Sequence, residues 1–330
     1  MKKDNFIDKF RKPYIIAEIG SNFNQDINIA YKLIIAAKSS GAHAVKFQLF
    51  NAKKLYPKDL KMYNLFKSIE LNYKWIPKLK KFSENNNIEF LSSAFDENSI
   101  NILEDNNIIA HKIASSEATN LKLLKFFSKT KKPIILSTGM CDIDDIKKAY
   151  NIFKNNDLTI MQCCSVYPLN NIDANLNVLK DYKKNFPNTR LGFSDHTIGN
   201  IAAITSIGLG AVVFEKHLTL NKRSKGPDHF YALEPKELKK YIRDINISFA
   251  CLGSQKKELL LQEKIYGRRE GLYAKINLDK NERLNKYNIY SKRPSLGIRA
   301  KYKNKIIGLR IIKKILKDEP IYETYIEDFK

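Results

Sequence analysis

Between residues 13 and 217 the sequence switches eight times from a short β-branched or apolar run to a longer amphipathic segment, and no other feature restricts its fold as strongly. The apolar runs are PYIIAEIG from 13, HAVKFQLF from 43, IEFLSS from 88, IAHKIASSE from 109, PIILSTG from 133, LTIMQCCS from 158, TRLGFSDH from 189 and AVVFEKHL from 211. Segments such as NIAYKLIIAAKSS, WIPKLKKFSENN, DENSINILEDN and IDDIKKAYNIFK lie between them, with apolar residues three and four apart behind polar starts. Runs apolar on both faces suit buried parallel strands, and parallel neighbours need helical crossovers. Eight strand–helix units predict an α/β fold, a (β/α)8 TIM barrel. A doubly wound open sheet is the alternative, but it calls for a glycine-rich phosphate turn after the first strand, and EIGSNFNQD has a single glycine.

With 330 residues and 43% hydrophobic content, the chain can bury one large core and a second, smaller one. The last barrel helix runs through PKELKKYIRDINISFACLG, and the charged stretch SQKKELLLQEKIYGRRE reads as a linker. From Gly267 the texture changes to short strand-like pieces, GLYAKI, NIYSKRP and IIGLRIIKKIL, with turns at DKNE and KDEP. The expected division is a barrel over 1–255, a linker over 256–266 and a small domain over 267–330. A net charge of +23 suggests nucleic acid, yet the lysines are scattered with Asn and Ile and form no basic stripe with aromatics. Nucleic-acid binding is therefore set aside, although the excess charge can draw small anions to a cleft. No run approaches twenty apolar residues and the start, MKKDNFIDKFRKPY, lacks a signal-peptide core, so a cytoplasmic protein with no membrane association is expected. Cys141, Cys163, Cys164 and Cys251 match neither a disulfide framework nor a metal pair and are read as reduced, with Cys163 or Cys164 facing a pocket.

In such a barrel the chemistry collects at the C-terminal ends of the strands. Those ends carry Glu18, then Lys46 and Gln48, then Lys112, Ser115 and Glu117, then Ser137, then Ser194 and His196, and finally Glu215, Lys216 and His217. Strand side chains alternate, so Glu215 and His217 share the face of Val213, and Ser194 shares a face with His196. Lys112 and Ser115 break this parity, which predicts a bend near Ala114. The two histidines suit a half-shell for a divalent cation, an acid–base pair or a structural role. Lys46 and Lys112, with Ser93, Ser115, Ser137 and Ser194, suit a phosphate or carboxylate. The competing reading pairs both lysines with Glu18 and Glu117 in a structural network. His43 and His111 begin strands and read as structural, Trp75 as packing, and His229 as a loop residue within reach of a ligand.

The motifs IIAEIGSNFNQD, GAHAVKFQLF, FLSSAFD, HKIASSEATN, PIILSTGM, SVYP, GFSDHTIG, EKHLTL and GPDH, in this order, resemble those of the sialic acid synthases. GRREGLYAK and KRPSLGI resemble that family's small C-terminal antifreeze-like (SAF) domain. The resemblance implies condensation of phosphoenolpyruvate with an N-acetylmannosamine-type aldehyde sugar to a nine-carbon acid and phosphate. It implies that His196 and His217 bind a divalent metal, Mn2+ or Mg2+, which polarises the aldehyde. It implies that Lys46, Lys112, Ser93, Ser115, Ser137, Ser165 and Ser194 hold phosphoenolpyruvate, with Lys46 also serving catalysis. Gln48, Tyr167 and Asp228 would contact the sugar, and Arg293 would cap the site of the partner in a domain-swapped homodimer. Glu18 is the first candidate to handle the water added during phosphate loss, Glu117 the second.

Several positions depart from the family pattern. Phe23 stands where a histidine is common, NFNQ replaces an NHNG-like turn, and Ser165 replaces an asparagine. SSAFD stands for STPFD, and Ser295 for the glycine after the arginine–proline pair. A sister synthase making legionaminic or pseudaminic acid from a diacetamido trideoxy hexose is the nearest alternative. A metal-dependent aldolase and a non-catalytic polyanion-binding protein are more remote.

Overall fold

The computed structural model of the chain describes residue 7, residues 13–265 and residues 268–329. Eight parallel strands close into a barrel in chain order. They are β1 (Tyr14–Glu18), β2 (Ala44–Leu49), β3 (Glu89–Ala94), β4 (His111–Ile113), β5 (Ile134–Ser137), β6 (Leu158–Cys163), β7 (Arg190–Asp195) and β8 (Ala211–His217). Seven fall within the apolar runs, and β3 runs one residue beyond IEFLSS, to Ala94. The jacket is formed by α1 (Ile27–Ser40), α2 (Ala52–Leu55), α3 (Lys61–Ser68), α4 (Ile76–Asn85), α5 (Glu97–Asp105), α6 (Leu121–Lys129), α7 (Ile143–Phe153), α8 (Val178–Asn185), α9 (Ile201–Gly208) and α10 (Pro235–Cys251). The sequence reading expected one helix per crossover, but the β2–β3 connection holds three. Tyr56, preceding Pro57, takes an extended backbone that ends α2 after one turn.

Local chemistry sets the helix ends. Asp26 accepts from the Asn28 amide at the start of α1, and Gly41 closes that helix at φ 96°, where a side chain would be strained. Reciprocal Asp142–Asp145 and Glu234–Glu237 capping boxes start α7 and α10.

The alternation along the strands separates two cores. Tyr14, Ile16, Ala44, Leu91, Ile135, Met161 and Val213 point inward and fill the lower barrel. Their neighbours, including Ile15, Val45, Phe47, Ile134, Leu136, Phe193 and Phe214, pack outward with the helices. Gly192 holds an inward place on β7, where a Cβ would meet the Val213 carbonyl oxygen at 2.8 Å and Met161 Cγ at 2.9 Å. Two residues further along each strand the inward set becomes polar. Ser194 lies opposite Glu215, Ser93 opposite Lys112, and Glu18 opposite His217.

Between those inward residues, Asp195 and Lys216 point outward and pair at 3.0 Å, both buried. The Tyr241 hydroxyl donates to Asp195 Oδ2 at 3.0 Å, so α10 closes this buried pair from outside. At the opposite end, the Ile15 amide donates to His43 Nδ1 at 3.0 Å and His111 Nε2 lies 2.8 Å from Glu104. Burial, partly offset by Glu104, lowers His111 to about 4 and keeps it neutral. Both serve the scaffold.

The chain divides into two compact units, the barrel unit of residues 1–253 and a second of residues 254–330. β9 (Gly271–Ala274) pairs antiparallel with β10 (Ile289–Lys292) over a core of isoleucines and leucines that includes Leu272, Leu278, Ile298, Ile311 and Ile321. The helices α11 (Leu261–Ile265) and α12 (Lys303–Ile306) are short. The expected boundary between the linker and the small domain, at residues 266 and 267, lies outside the described residues, as does most of the basic N-terminal stretch. No helix of the described residues is long and apolar enough to cross a membrane.

Candidate active site

A cavity of about 660 Å³ opens at the C-terminal ends of the strands, and four buried ionisable groups form its base. Lys46 Nζ lies 2.8 Å from Glu18 Oε2, 3.0 Å from Ser93 Oγ and 3.7 Å from Glu215 Oε2. Lys112 Nζ donates to Ser137 Oγ at 2.7 Å and to the Ile113 carbonyl at 3.2 Å, and lies 3.7 Å from Glu215 Oε1. Ser194 Oγ donates to Glu215 Oε1 at 3.2 Å. Glu215 therefore joins the two lysines from β8.

These couplings divide the carboxylates by character. Burial raises Glu18 more than Lys46 lowers it, and the like charge of Glu215 adds to the rise. Burial acts the same way on Glu215, but Lys112 and Lys46 together overcome it and hold that carboxyl below its usual range. Lys112 is lowered because burial outweighs Glu215, whereas Lys46, facing two carboxylates, is raised against its burial. Glu18 is the group of the base most ready to carry a proton, and Lys112 the cation most in need of an incoming anion.

The imidazoles stand at the side. The His196 and His217 rings lie 5.8 Å apart, centroid to centroid. His196 Nδ1 donates to the Cys164 carbonyl at 2.7 Å, which leaves Nε2 for a ligand. Burial would lower His196, but the Cys163 sulfur and that carbonyl outweigh it and raise the ring's affinity for a proton. His217 is lowered to about 4, burial exceeding the attraction of Asp228, and its Nδ1 is buried without a hydrogen-bond partner among the described residues. Two imidazoles, one oriented through its far nitrogen and one with an orphaned nitrogen, fit a divalent ion whose remaining positions fall to water or substrate oxygens. Nitrogen donors favour manganese over magnesium. Among the described residues no group of three or more His, Cys, Asp or Glu side chains is disposed to hold a metal.

The other expected site residues separate into lining and supporting groups. Gln48 lines the cavity and donates to Glu18 Oε1 at 2.7 Å. Tyr167 lines it too, with its ring 4.1 Å from that of His196. β4 ends at Ile113 and residues 115–117 turn as a 3-10 helix, the bend the parity break predicts. Ser115 and Ser165 line the cavity. Ser115 Oγ accepts the Gly139 amide at 2.9 Å, and a Cβ at Gly139 would meet Ser165 Oγ at 2.4 Å. Glu117 faces the cavity, but its side chain accepts from Asn120 at 3.3 Å and, among the described residues, pairs with neither lysine, so the lysine network is built from Glu18 and Glu215 instead of Glu18 and Glu117. Cys163, one of the two cysteines considered, lines the cavity.

Asp228 stands behind the site. Its Oδ2 accepts from the Ser21 amide at 3.1 Å and the Ser21 hydroxyl at 2.7 Å, and its Oδ1 from Tyr231 at 2.7 Å. Both oxygens are thus occupied by the β1 loop and by a ring 5.0 Å from His217. His229 is a strut as well, with Nδ1 at 2.7 Å from Thr219 Oγ1 and Nε2 at 2.9 Å from Asn24 Oδ1. Phe23 is buried against Phe47 and Trp75. Arg293 belongs to the second unit, exposed after β10. Sequence reasoning noticed Glu215 without giving it a task, although its place between Val213 and His217 marked it. It passed over Tyr231 and the apolar residues between β2 and β3, which no periodicity singles out.

Comparison with known proteins identifies the chain's relatives. The NeuB family matches residues 33–257. The chain is 36% identical over 334 residues to the N,N'-diacetyllegionaminic acid synthase of Campylobacter jejuni, covering 95% of this chain and 100% of that one. It is 34% identical over 262 residues to the human N-acetylneuraminate-9-phosphate synthase, covering 75% of this chain and 73% of that one. The crystal structure of the sialic acid synthetase of Leptospira borgpetersenii in complex with citrate superimposes with a TM-score of 0.74 at 32% identity, over 78% of this chain and 90% of that one. The extent of these matches, on a closed barrel whose polar residues gather at one end, establishes that the chain belongs to the NeuB family.

Proposed function

We propose that this mouth condenses phosphoenolpyruvate with the open-chain aldehyde of an acylamino hexose, giving a nine-carbon nonulosonic acid and phosphate. Membership of the NeuB family makes the chain an enzyme of nonulosonic acid synthesis. The observation that carries the finer reading is the pair of buried ammonium groups, Lys46 and Lys112, set in serine hydroxyls beside two imidazoles. Burying such charges is costly, and an anionic substrate recovers part of that cost.

Lys46 and Lys112, with Ser115, Ser137 and Ser194, hold the phosphate and carboxylate of phosphoenolpyruvate. Ser93 steadies Lys46, and Ser165 sits against the Gly139 turn. C3 of phosphoenolpyruvate bonds to the aldehyde carbon, whose oxygen takes a proton. Water then adds at C2, and the C2–oxygen bond to phosphate breaks to leave the ketone. A divalent cation held by His196 and His217 would supply Lewis acidity to a carbonyl oxygen. Glu18, raised by burial and by Glu215, and raised further by an arriving anion, can give its proton to the aldehyde oxygen. Its carboxylate then takes one from the added water. Gln48 and Tyr167 face the sugar.

A coupled assay of phosphate release tests the reading. Release is expected only with phosphoenolpyruvate and aldehyde together, and to cease with chelator. Glu18→Gln should slow it by roughly 100-fold or more, with Glu117→Gln the milder change. Pyruvate as product would identify an aldolase, and salt-sensitive polyanion binding without phosphate release would identify a binding protein.

The antifreeze-like reading of the second unit and the domain-swapped homodimer complete the proposal. Met140 after β5, Ile172 after β6 and Ile201 at the start of α9, at 68%, 88% and 62% exposure, are apolar side chains that a partner copy bringing Arg293 would cover. Sedimentation at monomer mass would remove this part of the account.

A further inference from the structure

The turn that follows β5 is held in a strained shape beside the lysine base. Met140 takes φ 61°, in the left-handed region that a side chain enters only at a cost. Such a backbone persists where its surroundings over-determine it. Here Thr138 Oγ1 donates to the Met161 carbonyl at 2.8 Å and lies 2.9 Å from the Tyr182 hydroxyl, and the Thr138 amide donates to the same carbonyl at 3.2 Å. β6 and α8 thus fix the turn from outside. On its inner side the Gly139 amide donates to Ser115 Oγ at 2.9 Å. A Cβ at residue 139 would lie 2.9 Å from that same oxygen and 2.4 Å from Ser165 Oγ, so only glycine fits this approach.

That bond decides what Ser115 can offer. A hydroxyl has one proton and two lone pairs, and the amide occupies a lone pair. The proton is left to be given away. Its neighbour is the Cys163 sulfur, a weak acceptor that an anionic oxygen displaces. Ser137 and Ser93 are set in the same sense, since Lys112 and Lys46 donate to their oxygens at 2.7 and 3.0 Å. We infer that Gly139 is a positioning residue for the donor substrate: its amide holds the Ser115 oxygen from behind, so that the hydroxyl proton goes to the phosphate or carboxylate of phosphoenolpyruvate. The inference rests on the condensation proposed above, which seats phosphoenolpyruvate on the lysine base. Gly139 acts through Ser115 and needs no contact with the substrate.

Calorimetric titration of the full-length protein with phosphoenolpyruvate, in manganese and without sugar, tests it on a double-mutant cycle. Gly139→Ala and Ser115→Ala should each weaken binding by about tenfold or more, the loss of a hydrogen bond to a charged group. Gly139→Ala/Ser115→Ala should bind no more than about twofold worse than the weaker single variant, because both changes remove the same proton. A glycine needed only for the fold would lower the melting temperature and multiply the two losses to roughly 100-fold, which overturns the inference. Parent-like binding in either single variant overturns it as well. Should Gly139→Ala fail to fold, Gly139→Ala/Ser165→Gly, which clears the tightest contact, takes its place in the cycle with Ser165→Gly as its reference. A parent protein that does not bind phosphoenolpyruvate overturns the condensation, and the inference with it.

Discussion

Lys112→Met is expected to lower kcat/KM for phosphoenolpyruvate by roughly 1,000-fold while leaving the protein folded. The two effects separate because burial lowers Lys112 and Glu215 only partly compensates, so the charge is held at some expense to the fold. Methionine keeps the apolar stem and removes that expense. Glu215 retains Lys46 at 3.7 Å and the Ser194 hydroxyl at 3.2 Å, and no unpaired charge is stranded. Lys46→Met should behave differently. Its ammonium lies between Glu18 and Glu215, and its loss leaves two buried carboxylates facing each other, a change of the kind that costs about 3–5 kcal/mol. Thermal unfolding and initial rates on the two variants separate anion binding from structural pairing. If Lys112→Met keeps turnover within tenfold of the parent, the base of the cavity does not hold the donor substrate.

His217→Ala is expected to lower turnover by roughly 1,000-fold or more, the equivalent of losing several kcal/mol of stabilisation at a developing oxyanion. The ring is neutral at neutral pH, so its removal strands no charge. Tyr231 at 5.0 Å and Tyr167 at 5.9 Å still wall the space. A small loss of stability beside a large loss of rate is therefore the expected pattern. A His217→Ala protein that turns over normally would return both histidines to the scaffold.

Much of this site could be read from spacing. Strands of a closed barrel alternate strictly, so Val213, Glu215 and His217 had to share a face, and the polar ends of eight apolar runs had to meet. Periodicity says nothing once a strand stops. Glu117 and Glu215 both follow apolar runs, but β4 ends at Ile113 and turns, whereas β8 continues through His217. Hence Glu215, not Glu117, reaches the lysines. Loop chemistry was illegible for a related reason. Asp228 is fixed by Ser21, 207 residues away, and His229 by Asn24, 205 residues away. Nothing local in GPDH reports those partners. The apolar cavity residues Leu55, Tyr56, Met62 and Phe66 were hidden likewise, because three short helices occupy a connection where the pattern suggested one.

The central claim is that His196, just after β7, and His217 of β8 would together hold one divalent ion, and manganese binding measured by electron paramagnetic resonance tests it most directly. The account predicts one site per chain in the parent protein, with binding lost in His196→Ala and in His217→Ala alike, and retained in Lys112→Met. Undiminished manganese binding in both histidine variants would contradict it.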